Sequence, residues 1–229
     1  MKLVFVHGAG NSSLSFYYQL RHFRNSKALD LPGHPNGKPC TSIDGYVEWV
    51  RGFNTARRYK DVVLCGHSMG GAIALRYALL YPDEIKGLVL MGTGAKLRVN
   101  PSFLKQCQEP GTDNADWLKH QKSSYKGVES DIYRVLVQRA EEIGPQVELN
   151  DLLSCDRFDV MQDVKNIHLP TEIICGDADD MTPVKYSNYL TENIPGAHQD
   201  IIPEADHFVQ LKQYQQVNAK IDQFLQRFK

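Results

Sequence analysis

The feature that most constrains this chain is a set of short, wholly apolar runs separated by segments of helical periodicity. Leu3-Val4-Phe5-Val6, Val62-Val63-Leu64-Cys65, Leu88-Val89-Leu90-Met91 and Ile173-Ile174-Cys175 are each too short for a buried helix, and several are bounded by glycine. Such runs read as strands covered on both faces. Ser26 to Leu31 and Gln199 to Ile202 are weaker candidates. Helical patterns over Leu14 to Phe23, Ile43 to Tyr59, Met69 to Tyr81, Pro183 to Asn193 and His207 to Phe228 lie between or after them. Strand–helix alternation predicts an α/β fold, a mostly parallel sheet of about six strands with helices on both faces.

The alternation lapses between Lys96 and Asp159. Ile132, Leu136, Ala140 and Ile143 keep helical spacing, as do Leu149, Leu152 and Leu153, while Pro101, Pro110-Gly111 and Gly144-Pro145 punctuate the stretch. The expectation is a core of residues 1–95 and 160–229, carrying a helical cap, or lid, over 96–159. Open α/β sheets bind ligands at the carboxyl ends of their strands. An insertion leaving from such an end is placed to cover a site.

The chain has 229 residues, enough for one sizeable core. Its formal net charge is −1, which gives no electrostatic reason to expect nucleic acid or an anionic membrane surface as partner. Five cysteines, an odd number with no C-x-x-C pair, suggest reduced thiols and a cytoplasmic protein. The opening apolar run is too short for a signal peptide's apolar region, and no stretch approaches a membrane span.

Chemistry concentrates in Gly66-His67-Ser68-Met69-Gly70-Gly71, which follows an apolar strand and opens a helical pattern. A G-x-S-x-G in that context puts the serine on a sharp, strained turn with its hydroxyl projecting into the cleft. Gly66 and Gly70 are expected to remove side chains that would collide across the turn, and Gly71 to let the helix pack closely. The helix N-terminus leaves free N–H groups beside Ser68.

With His7-Gly8-Ala9-Gly10, Asp30-Leu31-Pro32-Gly33-His34, Gly176 to Pro183 and Asp206-His207-Phe208, that segment makes the chain resemble the α/β-hydrolase superfamily, in its lid-bearing esterase and lyase branch. The resemblance covers nearly the whole chain; family members usually begin with an antiparallel hairpin, whereas the first strand here starts at residue 2 or 3, so a shorter sheet is expected. It implies a nucleophile–acid–histidine order. The family pattern G-x-x-D-x-x-x-P selects Asp179 as the acid over Asp177 and Asp180, and the position before the last helix selects His207 over His198 and His168. The implied oxyanion donors are the backbone N–H groups of Ala9 and Met69. His7 and the turn Asp30 to His34 are expected to be structural. Phe16-Tyr17-Tyr18 on the first helix are expected in core or pocket wall, with Trp117 and Tyr125 facing from the lid.

Ser68, Asp179 and His207 so arranged imply hydrolysis of a small or medium carboxylic ester through an acyl-enzyme, with no metal or cofactor. Thioesterase, lactonase, C–C bond hydrolase and hydroxynitrile lyase chemistry stay open on the same three residues. So does a non-catalytic small-ligand receptor, which would bind without turnover. The expected partner is a small ester, and the chain is expected to be a monomer or homodimer.

Overall fold

The computed structural model describes residues 1–229. Six strands, β1 (Lys2–Val6), β2 (Ser26–Leu29), β3 (Val62–His67), β4 (Gly87–Met91), β5 (Thr171–Gly176) and β6 (His198–Ile202), form one sheet in the order β2-β1-β3-β4-β5-β6. Every pairing is parallel. The order reverses between β1 and β3, and in such sheets the crevice beyond that switch point receives the ligand.

The apolar runs explain the layers. Side chains alternate across a strand, so a run apolar at every position supplies two cores. Val4, Val6, Val62, Leu64, Leu88 and Leu90 point to one face, where they meet α2 (Ile43–Ala56), α3 (Met69–Leu80) and α8 (Val184–Asn193). Leu3, Phe5, Val63, Cys65, Val89 and Met91 point to the other. There they meet Phe16 and, from α10 (Tyr214–Leu225), Val217, Ile221 and Phe224.

Helix termini follow local chemistry. Ser42 caps α2 by accepting from the Gly45 N–H at 3.1 Å, and Asn100, with Pro101 behind it, caps α4 (Pro101–Gln108) through the Ser102 N–H. Two sequence expectations need correction. The first helical segment opens as a 3-10 turn over Ser13–Phe16, so Phe16 precedes α1 (Tyr17–His22). The last one breaks at Gln213, whose φ of −116° and ψ of 37° separate α9 (Val209–Lys212) from α10. Apolar periodicity does not register a one-residue kink.

Between β4 and β5 the chain runs through α4, α5 (Ala115–Ser124), α6 (Ser130–Ile143) and α7 (Pro145–Asp156). An isolated antiparallel bridge joins Lys96 to Asp159 where this excursion leaves and returns, and their side chains form an ion pair at 2.5 Å. The four helices pack through a third apolar cluster that includes Trp117, Tyr125, Leu136, Leu149 and Leu152, together with Phe208 and Leu211. No helix is long and apolar enough to cross a membrane.

Candidate active site

Ser68 stands between β3 and α3 with φ 53° and ψ −119°, a conformation that costs a non-glycine residue about 1–3 kcal/mol. Surrounding bonds impose it. The Ser68 N–H donates to the Met91 carbonyl at 3.0 Å, and the Ser68 carbonyl accepts from Gly71 N–H, Ala72 N–H and the Thr93 hydroxyl. A Cβ on Gly66 would lie 2.1 Å from the Gly70 carbonyl oxygen, the expected collision across the turn. At Gly70 the reason differs from expectation. A Cβ there would sit 2.0 Å from the Val6 carbonyl oxygen, so this glycine lets α3 start against the end of β1.

Asp179 and His207 reach the same end of the sheet from the loops after β5 and β6. His207 Nδ1 lies 2.9 Å from Asp179 Oδ2, with both side chains almost fully enclosed. Asp179 Oδ1 accepts from the Met181 and Thr182 N–H groups, and Oδ2 also accepts from the Thr182 hydroxyl at 2.7 Å. Burial alone would raise this carboxyl's pKa. Hydrogen bonds from His207 and Thr182 outweigh it and hold the group ionised, well below the usual carboxylate range. An ionised acceptor at Nδ1 places the ring proton there and leaves Nε2 free to take another.

His207 and Ser68 line one cavity of about 650 Å³, together with Gly8, Ala9, His67 and Phe208. No hydrogen bond occupies the Ser68 hydroxyl. The Ala9 N–H has no partner in the chain, and Met69 begins α3, where an N–H has no intrahelical acceptor. A Cβ on Gly8 would lie 3.0 Å from Ser68 Cβ, which shows how closely the Ala9 loop approaches the serine.

The remaining candidates take other partners or face solvent. His198 opens β6, at the opposite end of the sheet, and pairs with Glu172 at 2.9 Å. Asp206 caps Phe208 N–H and pairs with Lys212. Asp180 is exposed at the cavity wall, and Asp177 is also exposed. Phe16 is core, and Tyr18 stacks on Tyr214 at 3.8 Å between centroids, away from the cavity wall. The Tyr125 hydroxyl donates to Asn11 Oδ1, and Asn11 in turn bonds the Ala9 carbonyl.

Three participants were not singled out in the sequence. Thr182 clasps Asp179. Asp151 on α7 is fully buried and accepts from the Gly10 N–H, His34 Nε2 and the Tyr46 hydroxyl, tying α7 to the loop after β1. Glu148, one turn earlier on α7, lines the cavity. Spacing held a partial signal, because positions 148, 151, 152 and 155 fall on one helical face.

Buried histidines contribute to the acid response with different signs. His67 donates from Nε2 to the His207 carbonyl at 2.9 Å, and burial pulls its pKa down to about 3. Burial also holds His7, which bonds Gly8 and Leu31, well below its ordinary value. The unfolded chain protonates both rings near pH 6.5, while the folded chain refuses those protons until far lower pH. Their stabilisation is therefore present above about pH 6.5 and lost as pH falls. His34 has the opposite sign. Burial disfavours its charge, but the Asp151 carboxylate outweighs that, so its contribution is intact below pH 6.5 and fades as pH rises through the raised value. Each refused proton lowers stability by up to about 1.4 kcal/mol per pH unit between pH 6.5 and 4. Glu148 and Glu172, whose burial raises their pKa to about 7, bind protons in the fold over part of that range and offset some of the loss. Relative to wild type, His67→Gln should lose less stability, read from urea midpoints, as pH falls from 6.5 to 4. An equal loss in the two proteins would remove His67 from the account.

Comparison with known proteins agrees with this architecture. A family model described as the alpha/beta hydrolase family matches residues 3–220. A pimeloyl-[acyl-carrier protein] methyl ester esterase of Neisseria meningitidis serogroup B is 25% identical over 201 residues, 79% of this chain and 74% of that protein. A putative esterase/lipase 2 of Mycoplasma pneumoniae is 39% identical over a shorter stretch of 97 residues, 38% of this chain and 36% of that relative's length. A solved thermophilic esterase superposes with a TM-score of 0.81 at 30% identity, covering 99% of this chain and 90% of that one. An esterase from Exiguobacterium antarcticum, 16% identical, superposes at 0.88 over 99% and 92% of the two chains and shares the fold.

Proposed function

Because the chain belongs to the alpha/beta hydrolase family, we propose that it is a serine hydrolase cleaving small to medium carboxylic esters through an acyl-enzyme. One observation carries this: Ser68, with its hydroxyl unengaged on a strained turn, shares a cavity with His207, whose far nitrogen is tied to the Asp179 carboxylate. The esterases among its relatives support the ester class.

In this mechanism Ser68 Oγ attacks the ester carbonyl carbon while His207 Nε2 takes its proton. The carbonyl oxygen, now negative, is held by the Ala9 and Met69 N–H groups at the positive end of α3. Asp179 stabilises the imidazolium and keeps the ring oriented. His207 then protonates the departing alkoxide, leaving Ser68 acylated. Water enters, gives a proton to His207 and attacks the acyl carbon. Collapse returns the proton to Ser68 and frees the acid. Serine–histidine contacts in such sites often tighten only with substrate bound, so the unengaged hydroxyl is compatible with this role. The helices over 96–159 act as a lid that shapes the pocket, and nothing in the cycle requires a metal or cofactor.

The test is a fluorophosphonate probe with mass mapping of the label. Modification of Ser68, together with release of p-nitrophenol from short-chain p-nitrophenyl esters, is the expected result. Folded protein that binds a small ligand yet neither labels nor turns over esters would instead be a receptor.

A further inference from the structure

The cavity holds a carboxyl that the ester mechanism does not use. Glu148 projects from α7 into its wall. Oε2 accepts from Trp117 Nε1 at 2.5 Å and Gln121 Nε2 at 2.7 Å, which ties α5 to α7. Oε1 receives no protein hydrogen bond, yet it is not among the sealed, unpartnered polar atoms of the interior. The fold thus ties down Oε2 and leaves Oε1 unengaged on a carboxyl that lines the cavity. The carboxyl also stands beside the loop after β1. A Cβ on Gly10 would lie 2.8 Å from Glu148 Cγ, one residue from the Ala9 N–H.

An ionised carboxylate there would oppose negative charge developing at a substrate carbonyl, so the site has reason to keep Glu148 neutral or paired. Burial does this by lifting its pKa to about 7, against the lowering pull of Trp117 and Gln121, with Asp151 adding to the rise. The titratable groups that bear on it most are the Asp151 carboxylate on α7, the Cys107 thiol on α4 and the Tyr125 hydroxyl, while Arg98, His120 and Lys185 line the same cavity.

We infer that Glu148 is a specificity-determining residue, selecting esters whose body carries a hydroxyl that bonds Oε1 and disfavouring those that place a carboxylate there. This rests on the ester-hydrolase reading above. A hydroxyl both donates and accepts, so it suits a carboxyl in either protonation state. A carboxylate would meet either like charge or a single donor.

Glu148→Gln makes the test sharp. Trp117 and Gln121 both donate, so the new amide must turn its oxygen to them and its NH2 to the cavity. An NH2 only donates. Wild type is therefore expected to prefer p-nitrophenyl 6-hydroxyhexanoate over the hexanoate, or 3-hydroxybutyrate over butyrate, by about tenfold in kcat/KM, with monoadipate poorest. In Glu148→Gln the NH2 still donates to a hydroxyl, so a hydroxyl preference remains. A carboxylate, however, now meets a neutral donor in place of a like charge, and monoadipate should gain at least about tenfold relative to hexanoate. Calorimetric binding of the matching methyl ketones, which needs no turnover, should reproduce in each protein the order that its own kinetics give. The same ratio of monoadipate to hexanoate in wild type and variant, by kinetics and by calorimetry, would overturn the inference while leaving ester hydrolysis standing. Absent turnover with an intact calorimetric switch would overturn the hydrolase reading instead.

Discussion

Replacing Ser68 by alanine is expected to lower kcat/KM for a short p-nitrophenyl ester by roughly 10⁴- to 10⁶-fold, the scale on which removing a triad nucleophile acts. Variant and wild type should have nearly the same urea midpoint, because the hydroxyl forms no hydrogen bond that the fold needs. The small remainder above the rate in water would come from Ala9 and Met69, whose N–H groups survive the substitution. Ser68→Gly separates chemistry from conformation. It should be as inactive as the alanine variant, yet more stable by about 1 kcal/mol or more, since glycine adopts φ 53° without the strain that serine bears. A fall of less than about a hundredfold in either variant would show that another group forms the acyl bond.

The second large effect is expected from Asp179→Asn. The Met181 and Thr182 N–H groups both donate to Oδ1, so the asparagine oxygen must occupy that place. Its NH2 then faces His207 Nδ1, where the carboxylate stood at 2.9 Å. An NH2 can only donate, so Nδ1 becomes the acceptor and the proton moves to Nε2, the atom that should take one from Ser68. The loss in kcat is expected to be about 10⁴-fold, with the fold intact. Slower fluorophosphonate labelling should accompany it, because the nucleophile loses its base. Equal labelling rates in Asp179→Asn and wild type would place the orienting acid elsewhere.

These arguments depend on residues that were unequally legible in the sequence. The strands were plain because a sheet covered on both faces needs apolar side chains at every position, and Leu3 to Val6 or Val62 to Cys65 cannot serve another purpose in so few residues. Ser68 was plain because its turn demands glycines at fixed offsets. Asp179 and His207 were identified only by resemblance, since proximity between loops more than twenty residues apart leaves no local trace. Glu148 and Asp151 were missed for a different reason. Acids interleaved with Leu149 and Leu152 look like the wet side of an amphipathic helix. Here α7 lies between the core and the cavity, so its polar positions face a buried network instead of bulk water. The break at Gln213 and the clasp by Thr182 are single-residue events, below the resolution of any periodicity.

The Lys96–Asp159 bridge at the neck of the helical excursion has a consequence for chain entropy. Joining β4 to β5 closes a loop of roughly 80 residues, where the other connections between consecutive strands that pair close about 20, and by the logarithmic law this costs only about 1.2 kcal/mol more. Doubling the excursion again would add about 0.6 kcal/mol. The polymer physics of the connection is therefore almost indifferent to what is spliced between the two bridging residues. Loop closure alone sets almost no limit on the length of that segment.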